Sequence, residues 1–122
     1  MTYMPKQKDI INKRYIGAQF EMMATAYLQT HHYTIIEKNF RCQYGEIDII
    51  ASKDEYIIFI EVKYRKNTTY GYPREAVTFA KQKRIYRLAA YYMLKRYGKE
   101  VKCRFDVIEI LDHQLTHIEA AF

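Results

Sequence analysis

The feature that most constrains the fold is a pair of apolar segments joined by only three polar residues. Residues 45–52 (GEIDIIAS) and Tyr56–Arg65 (YIIFIEVKYR) flank the short polar stretch 53–55 (KDE). Both segments are rich in isoleucine and aromatic residues, a composition typical of half-buried β-strands. Because three polar residues are enough for a tight connection, the sequence predicts a β-hairpin. Its apolar side chains need cover from other elements, so a layered fold is expected.

The segment before the hairpin predicts a long amphipathic helix. Its apolar residues recur at every third or fourth position, which places them on one helix face. They are Ile16, Phe20, Met23, Ala24, Tyr27 and Leu28. The helix is expected to start at Asp9 or Asn12 and to end near Thr30. We expect residues 1–8 to form a flexible tail and residues 9–122 to form a single domain.

A second helix is expected to start near Glu75 or Thr78 and to end before Gly98, a residue type typical of helix C-termini. The stripe predicted to be buried consists of Ile85, Leu88, Ala89, Tyr92 and Met93. The opposite side of the same helix carries Lys83, Arg84, Arg87, Tyr91 and Lys95.

Three further strands complete the expected sheet. Residues 33–40 precede the hairpin, and residues 101–111 and 116–122 follow the second helix. Residues 66–73 contain glycine and proline and are expected to form a loop. The order α-β-β-β-α-β-β predicts an α/β fold with a mixed central sheet flanked by helices.

Composition excludes several classes of protein. The chain has 122 residues, of which 49% are hydrophobic and 28% charged, and this is ordinary globular usage rather than that of a disordered chain. No apolar run approaches the roughly 18 residues of a membrane span, and the N-terminus has no apolar signal-peptide core. Cys42 and Cys103 lie far apart without metal-binding spacing, so we expect reduced thiols in a cytoplasmic protein.

The positive charge of the chain is concentrated in one block. The net charge is +6, from 20 basic and 14 acidic residues, and residues 61–104 carry 13 of the basic residues and 3 of the acidic ones. Such a block suggests a surface that faces a polyanion, with a solvated helix face as the alternative. The 13 tyrosines are a weaker signal, since tyrosine among basic residues can stack on exposed bases.

Four charged residues interrupt the two strands of the predicted hairpin. Strand side chains alternate between faces, so Glu61 shares a face with Lys63, and Asp48 shares a face with Glu46. The isoleucines on either side of Asp48 are expected together on the other face. Charges at the centre of apolar strands are costly unless they are paired or bind a metal. The Glu-Val-Lys segment alone would be explained by an ion pair, whereas its combination with Asp48 is a stronger signal.

Two carboxylates on adjacent strands are suited to hold a hard divalent cation. Such a cation polarises a phosphate and acidifies bound water, and Lys63 would orient or deprotonate that water. This hypothesis needs Asp48 and Glu61 on one face, so residue numbers paired across the hairpin must sum to an odd value. Glu21 lies beside the apolar face of the first helix and is a candidate third carboxylate, with a solvent-facing position as the alternative.

Other polar residues are interpreted structurally. Asp106 alternates within an apolar strand, and either it supports the residues of the metal site or it is a salt-bridge partner for an arginine, of which the structural role is favoured. His31 and His32 are expected in a solvated turn. His113 and His117 are four residues apart, which suits a metal only on a helix, and the local pattern predicts a turn and a strand.

The order of these motifs resembles the PD-(D/E)xK nuclease superfamily, in particular its Holliday-junction resolvase branch, and most closely the YraN-like family of bacterial proteins. The resemblance runs from Gly17 to Phe122. Phe20 stands where the family usually has glycine. The matching pieces are Gly17, Glu21, Ala24 and Leu28, then Asn39-Phe40-Arg41, residues 45–50 (GEIDII), 59–65 (FIEVKYR), Tyr70-Gly71, Glu75-Ala76-Val77, Lys81-Gln82 and 104–107 (RFDV).

The resemblance implies a restriction-endonuclease-like core and a metal-dependent endonuclease that hydrolyses phosphodiester bonds in DNA, including branched or processed DNA. It implies Mg²⁺ or Mn²⁺ held by Asp48, Glu61 and Glu21, bound weakly without substrate. Lys63 would be catalytic, and Gln82 on the second helix would assist.

DNA is therefore the expected partner, without a membrane or a small-molecule cofactor. The residues expected to contact it are Arg65, Lys83, Arg84, Arg87, Lys95, Tyr64, Tyr70 and Tyr72. For the three tyrosines, packing at the rim of the site is the alternative. A homodimer is a further expectation, because resolvase relatives are two-fold dimers. The alternatives to an enzyme are a non-catalytic nucleic-acid-binding module with the nuclease fold, and a subunit of a DNA-processing complex.

Overall fold

The two helices of the protein cover opposite faces of one five-stranded sheet. The computed structural model describes residues 7–65 and 77–122, with side chains from residue 15 onward. Its elements are α1 (Gln7–Thr30), β1 (Thr34–Cys42), β2 (Gly45–Lys53), β3 (Tyr56–Arg65), α2 (Phe79–Tyr97), β4 (Cys103–Leu111) and β5 (Gln114–Ile118). This order confirms the predicted α/β layout with a mixed sheet.

The strands lie in the order β1-β2-β3-β4-β5, which places β3 in the middle of the sheet. All neighbours are antiparallel except β3 and β4, which are parallel because α2 returns the chain across the sheet. The hairpin between β2 and β3 is confirmed, and Lys53 pairs with Tyr56 around a two-residue turn. Every pair from there to Ile49↔Ile60 has an odd sum, as the site hypothesis required.

Each face of the sheet has its own apolar core. On one face, Ala24 and Leu28 of α1 pack with isoleucines of three strands, among them Ile49, Ile60 and Ile108. On the other face, the stripe predicted for the second helix is buried against the sheet; its members are Ile85, Leu88, Ala89, Tyr92 and Met93. Apolar area buried in this way is the main stabilising contribution to the fold.

The ends of α2 are fixed by capping residues. Thr78 has an extended backbone and its hydroxyl accepts a hydrogen bond from the Lys81 N–H, so it is the N-cap. Gly98 has a φ of 73°, a left-handed conformation that glycine adopts without strain, and its N–H donates to Leu94 O. Of the two predicted starts, Thr78 is therefore the one that the structure shows, and the predicted end is confirmed.

Several boundaries differ from the predicted ones. Helix α1 begins at Gln7, before the predicted start at Asp9 or Asn12. The loop expected over residues 66–73 lies outside the residues that the structure describes. Strand β5 starts at Gln114 because Leu111 pairs with Gln114 around a tight turn. It ends at Ile118 because the Ala120 N–H turns to the Asp106 carboxylate and leaves the ladder. The sequence prediction of 116–122 for this strand was therefore wrong at both ends.

The alternation predicted around Asp48 is also wrong. Ile49 lies in the core under α1, whereas Ile47 lies in the core under α2, so the two isoleucines do not share a face. The pairs Lys38↔Ile49 and Phe40↔Ile47 bracket this point of the sheet. Between them in β1, Asn39 has a φ of 56°, and this left-handed residue twists the strand pair locally. The change of face occurs at Asp48, which lies beyond the last hairpin pair, Ile49↔Ile60. Asp48 lies on the α1 side with Glu21, whereas Glu61 lies on the α2 side with Lys81, so the predicted shared face of Asp48 and Glu61 is wrong despite the odd sum.

Candidate functional site

Asp48 lies where β2 and β3 separate. The ladder between the two strands runs from the hairpin turn to Ile49↔Ile60. Beyond this last pair, the Val62 N–H donates to Asp48 Oδ2 over 2.7 Å. A side chain therefore accepts a strand N–H at the opening of the hairpin, and the Asp48 carboxylate is held there between the two strands.

Glu21 of α1 approaches Asp48 from one face of the sheet. Both line a cavity of about 280 Å³, together with Gly17, Val62 and Tyr64. A Cβ at Gly17 would lie 3.3 Å from the Tyr64 hydroxyl oxygen, so the absence of a side chain lets α1 come close to β3. Glu21 Oε1 is buried and has no hydrogen-bond partner among the residues that the structure describes.

Phe20 stands where the family that this chain resembles usually has glycine, and its side chain packs on β3. Its ring stacks on Tyr64 with centroids 4.4 Å apart and planes 16° apart. This contact fixes α1 against β3 next to Glu21. Tyr64 is 42% exposed, so one part of its ring packs and another part faces solvent, and both interpretations of this tyrosine retain support.

Glu61 of β3 is almost fully buried and pairs with two lysines. Its Oε2 lies 2.8 Å from Lys81 Nζ and 3.5 Å from Lys63 Nζ, while only 4% of its side chain is exposed. Lys81 belongs to the first turns of α2, so Glu61 faces the helix opposite to α1. We call Glu21, Asp48, Glu61, Lys63 and Lys81 the carboxylate–lysine cluster.

The cluster shifts the titration of its members. Burial raises the pKa of Asp48 to about 6, and the negative charges of Glu61 and Glu21 add to this, whereas the Val62 N–H opposes it. Burial also lowers the pKa of Lys63, and the neighbouring ammonium of Lys81 lowers it further. Burial lowers the pKa of Lys81, but its contacts with Glu61 and Lys63 and the charge of Asp48 together outweigh burial and raise it. A carboxyl and an amine are thus moved towards neutral pH in one place.

Two members of this region were not found from the sequence. The sequence prediction assigned a role in the site to Gln82 and none to its neighbour Lys81. The available signal for Lys81 was its position within one turn of Thr78, the residue that caps α2. Glu109 of β4 is buried and lies directly across from Lys63 in the parallel ladder. A charged residue inside the apolar strand 103–111 was the available signal for Glu109.

Other candidates lie elsewhere. Gln82 donates from Nε2 to Val77 O over 3.4 Å and lines a separate cavity with Phe122, so it is not brought to Glu61. Glu46 is exposed and pairs with Arg41 at 2.7 Å. Tyr70 and Tyr72 fall outside the residues that the structure describes.

The basic residues predicted to contact DNA lie on the outer side of α2 and at the end of β3. Exposed side chains are found at Lys83, Arg84, Arg87 and Lys95, and Arg65 is half-buried. Lys83 lies over the Phe79 ring, 4.7 Å from its centroid. These positions are consistent with the predicted surface, and contact with a nucleic acid stays a prediction.

A second group of buried charges lies on β4 and β5, and we call it the Asp106 network. Asp106 is fully buried and accepts two hydrogen bonds from Arg104 at 2.9 Å, one from the Ala120 N–H, and one contact of 2.6 Å from His117 Nε2. Burial raises the pKa of Asp106, but the hydrogen bonds from His117 and Arg104 outweigh burial and leave it below its ordinary value. The structural role predicted for Asp106 with an arginine partner is confirmed.

The carboxylates of the carboxylate–lysine cluster are the ligand type that a hard divalent cation prefers. Asp48 and Glu21 supply carboxylate oxygens on one cavity, and one of these oxygens is buried without a partner in the described structure. Glu61 supplies a third carboxylate, which is engaged by Lys81. Across the residues with described positions, no group of three or more His, Cys, Asp or Glu side chains is already gathered around one point. Metal binding therefore stays a prediction.

No helix in the described parts of the chain is both long and apolar enough to cross a membrane. This agrees with the absence of a long apolar run in the sequence.

Comparison with known proteins identifies the family. A UPF0102 protein of Clostridium acetobutylicum is 48% identical over 118 residues, which cover 92% of this chain and 96% of the relative. A UPF0102 protein of Lachnoclostridium phytofermentans is 43% identical over 113 residues, with the same shares covered. One from Thermodesulfovibrio yellowstonii is 48% identical over 109 residues, 88% of this chain and 95% of the relative. The model of the uncharacterised protein family UPF0102 matches residues 20–110, and the chain belongs to this family.

Proposed function

We propose that the protein is a Mg²⁺- or Mn²⁺-dependent endonuclease that acts on DNA. The observation that carries this proposal is that Asp48 and Glu21 share one cavity where β2 and β3 separate. Glu61, in contact with Lys63, lies near enough for its charge to raise the pKa of Asp48. The resemblance of the Asp and Glu-x-Lys motifs to PD-(D/E)xK nucleases supports it. A pKa near 6 for Asp48 and a lowered pKa for Lys63 are the pattern expected of groups that handle protons.

The metal would be held by Asp48 and Glu21, with Glu61 as the third carboxylate. When bound, it would supply Lewis acidity to a phosphate oxygen and lower the pKa of water. Lys63 is half-buried, with Nζ 3.5 Å from Glu61, and in this proposal it would orient water or accept its proton. Burial helps this role because it favours the neutral amine.

Lys81 has a separate role in this proposal. In the free protein its ammonium neutralises Glu61 at 2.8 Å, so the site carries a positive charge of its own. Lys81 is on the helix and is partly exposed. When Glu61 binds the metal, the Lys81 ammonium would therefore be free to contact a phosphate. The exposed basic residues of α2 would contact neighbouring phosphates and position the DNA without reading its sequence.

The same ion pair supports a second function, a nucleic-acid-binding module without catalysis. Glu61 is already satisfied by Lys81, and a carboxylate paired in this way needs no metal to be stable. In that case Glu61 and the lysines hold α2 against β3, and binding depends on the basic surface alone.

Cleavage of labelled DNA separates the two functions. Linear, flapped and four-way DNA would be incubated with Mn²⁺, Mg²⁺ or EDTA, and the wild type compared with Glu61→Gln and Lys63→Met. Lys102→Ala is the matched control, since Lys102 pairs with Glu55 at 3.0 Å on the exposed hairpin end. We expect metal-dependent cleavage that falls about 100-fold or more in both site variants and is unchanged in the control.

Two results would contradict the nuclease proposal. Cleavage that persists equally in both site variants would come from another nuclease in the preparation. No cleavage by the wild type, with salt-sensitive DNA binding that is unchanged in Glu61→Gln and Lys63→Met, would favour the binding module.

A further inference from the structure

A groove leads away from the carboxylate–lysine cluster along α2. It consists of three cavities of about 240, 430 and 610 Å³ between the β1–β2 turn and the outer side of the helix. Tyr44 lines the first and second cavities, and Tyr91 lines the second and third, so the three follow one another along the helix. The first cavity includes Lys81, whose ammonium touches Glu61. We call this surface the α2 groove.

The charge of the α2 groove is positive along its whole length. Its cationic lining residues are Lys81, Arg84, Arg87, Lys95 and Arg96. The acid that lines it is Glu46, which already pairs with Arg41 at 2.7 Å. A groove with this balance is complementary to a chain of phosphates.

Aromatic rings alternate with these cations. Tyr44 and Tyr91 meet edge to face, with centroids 5.9 Å apart, and Lys95 Nζ lies 5.6 Å from the centroid of Tyr91. Phe40 lines the third cavity beside Lys95, whereas Tyr92 at the same cavity is buried in the core under α2. Rings flanked by cations bind unpaired bases by stacking, whereas bases inside a duplex are already stacked on each other.

The length of the groove suits a short single strand. From Lys81 to Arg96 the helix rises about 22 Å at ~1.5 Å per residue. This corresponds to a site on the order of four nucleotides, at the lower end of single-strand-binding folds.

We propose that the α2 groove binds a single-stranded arm of DNA and guides it to the carboxylate–lysine cluster. This inference rests on the proposed nuclease function. The substrate would be DNA in which duplex and single strand meet, such as a flap or a splayed arm. The arm lies against Tyr44 and Tyr91, and its phosphates contact the arginines and lysines of α2.

Binding without metal tests the groove apart from catalysis. Fluorescence anisotropy in EDTA would compare a labelled dT12 oligonucleotide with a duplex of equal length. Tyr91→Leu removes the ring but retains an apolar side chain in the helix, and Arg87→Gln removes one charge. Lys102→Ala is again the matched charge control, and thermal unfolding followed by circular dichroism establishes that each variant is folded.

We expect Tyr91→Leu to weaken dT12 binding about tenfold or more, since stacking on an aromatic ring is removed. We expect Arg87→Gln to weaken it and to reduce the slope of log affinity against log salt by about 0.7. Lys102→Ala should bind dT12 as the wild type does.

Four results would overturn the groove proposal. These are unchanged dT12 affinity in both folded groove variants, an equal loss for duplex and single strand, tighter binding of rU12 than of dT12, and a dimer in solution that Tyr91→Leu dissociates. If dT12 binding behaves as expected and no DNA is cut, the nuclease proposal fails and the groove remains as a strand-binding surface. If flapped DNA is cut and the variants bind dT12 normally, the groove proposal alone fails.

Discussion

The carboxylate–lysine cluster and the Asp106 network both place an aspartate within the sheet, yet their environments are opposite. Asp106 is surrounded by donors: the Arg104 guanidinium, the His117 imidazole and the Ala120 N–H. Asp48 receives one N–H from Val62 and is faced by the carboxylates of other residues. The pKa is lowered in the first case and raised to about 6 in the second.

This difference separates a group that stabilises the fold from one that is a candidate for chemistry. A buried carboxylate with all its oxygens satisfied holds neighbouring elements together, as Asp106 does for β4, β5 and the C-terminal residues. A buried carboxylate beside others of like charge is strained until a proton or a cation arrives. The comparison therefore predicts opposite responses of the two aspartates to the same substitution.

The largest effect is expected from Asp106→Asn. The change leaves the Arg104 charge without its carboxylate inside the sheet, and breaking a buried pair of this kind costs about 3–5 kcal/mol. Urea unfolding at pH 7 measures the loss. A free energy of unfolding within about 1 kcal/mol of the wild type would show that the network does not stabilise the fold.

Asp48→Asn is expected to act in the opposite direction. Since the pKa of folded Asp48 is about 6 and its ordinary value is 3.8, the folded protein holds the proton more tightly, and stability falls as pH rises between these values. The asparagine avoids this loss and still accepts the Val62 N–H. We expect a gain of about 3 kcal/mol at pH 7 in EDTA.

The pH dependence of that gain is its control. It should fade as the pH is lowered to about 4, where wild-type Asp48 is protonated in the folded state. Urea unfolding at several pH values would show this, and a gain that is constant from pH 4 to pH 7 would contradict the assigned cause.

A smaller effect is expected from Mn²⁺ on the unfolding of Lys81→Met. The substitution removes the Lys81 ammonium, which competes with Mn²⁺ for the buried Glu61 carboxylate. Mn²⁺ should therefore stabilise the variant more than the wild type. At tenfold excess over the dissociation constant, the gain is about 1.4 kcal/mol. Unfolding with Mn²⁺ or EDTA measures it, and equal responses of the two proteins would indicate that Lys81 does not compete with a metal.

The smallest effect is expected from the exposed pair of Lys102 and Glu55. Their side chains are both 62% exposed, so Lys102→Ala should change the free energy of unfolding by less than about 0.5 kcal/mol. A loss above 1 kcal/mol, measured by the same urea unfolding, would mean that the hairpin end depends on this contact and that the variant is unsuitable as a control.

The fold was largely predictable because its apolar residues recur with clear periods. Isoleucine-rich strands joined by three polar residues gave the β2–β3 hairpin and the parity of its register. The stripe from Ile85 to Met93 and the glycine at position 98 gave α2 and its end. Strand β5 was misplaced because Ala120 and Ala121 turn to Asp106 and Phe105, and contacts so distant in sequence leave no local pattern.

The candidate site was less predictable, because its details depend on how elements meet. Choosing between Lys81 and Gln82 requires the rotation of α2 over the sheet, and neighbouring helix positions differ by about 100°. The change of face at Asp48 occurs beside the left-handed Asn39 of the adjacent strand, and neither feature is marked in the local sequence. The residue types Asp, Glu and Lys were visible in the sequence, but the partition of Asp48 towards α1 and Glu61 towards α2 was not.

The central position of β3 has a consequence for local opening of the protein. This strand has a hydrogen-bonded neighbour on each side, whereas β1 and β5 are edge strands with one. Amide hydrogens in its middle should therefore exchange with solvent among the slowest in the molecule, because their exposure requires the sheet to come apart. Fraying that begins at β1 or β5 would leave β3 paired with its neighbours. Glu61 and Lys63 would therefore keep their relative positions while the edges of the sheet open.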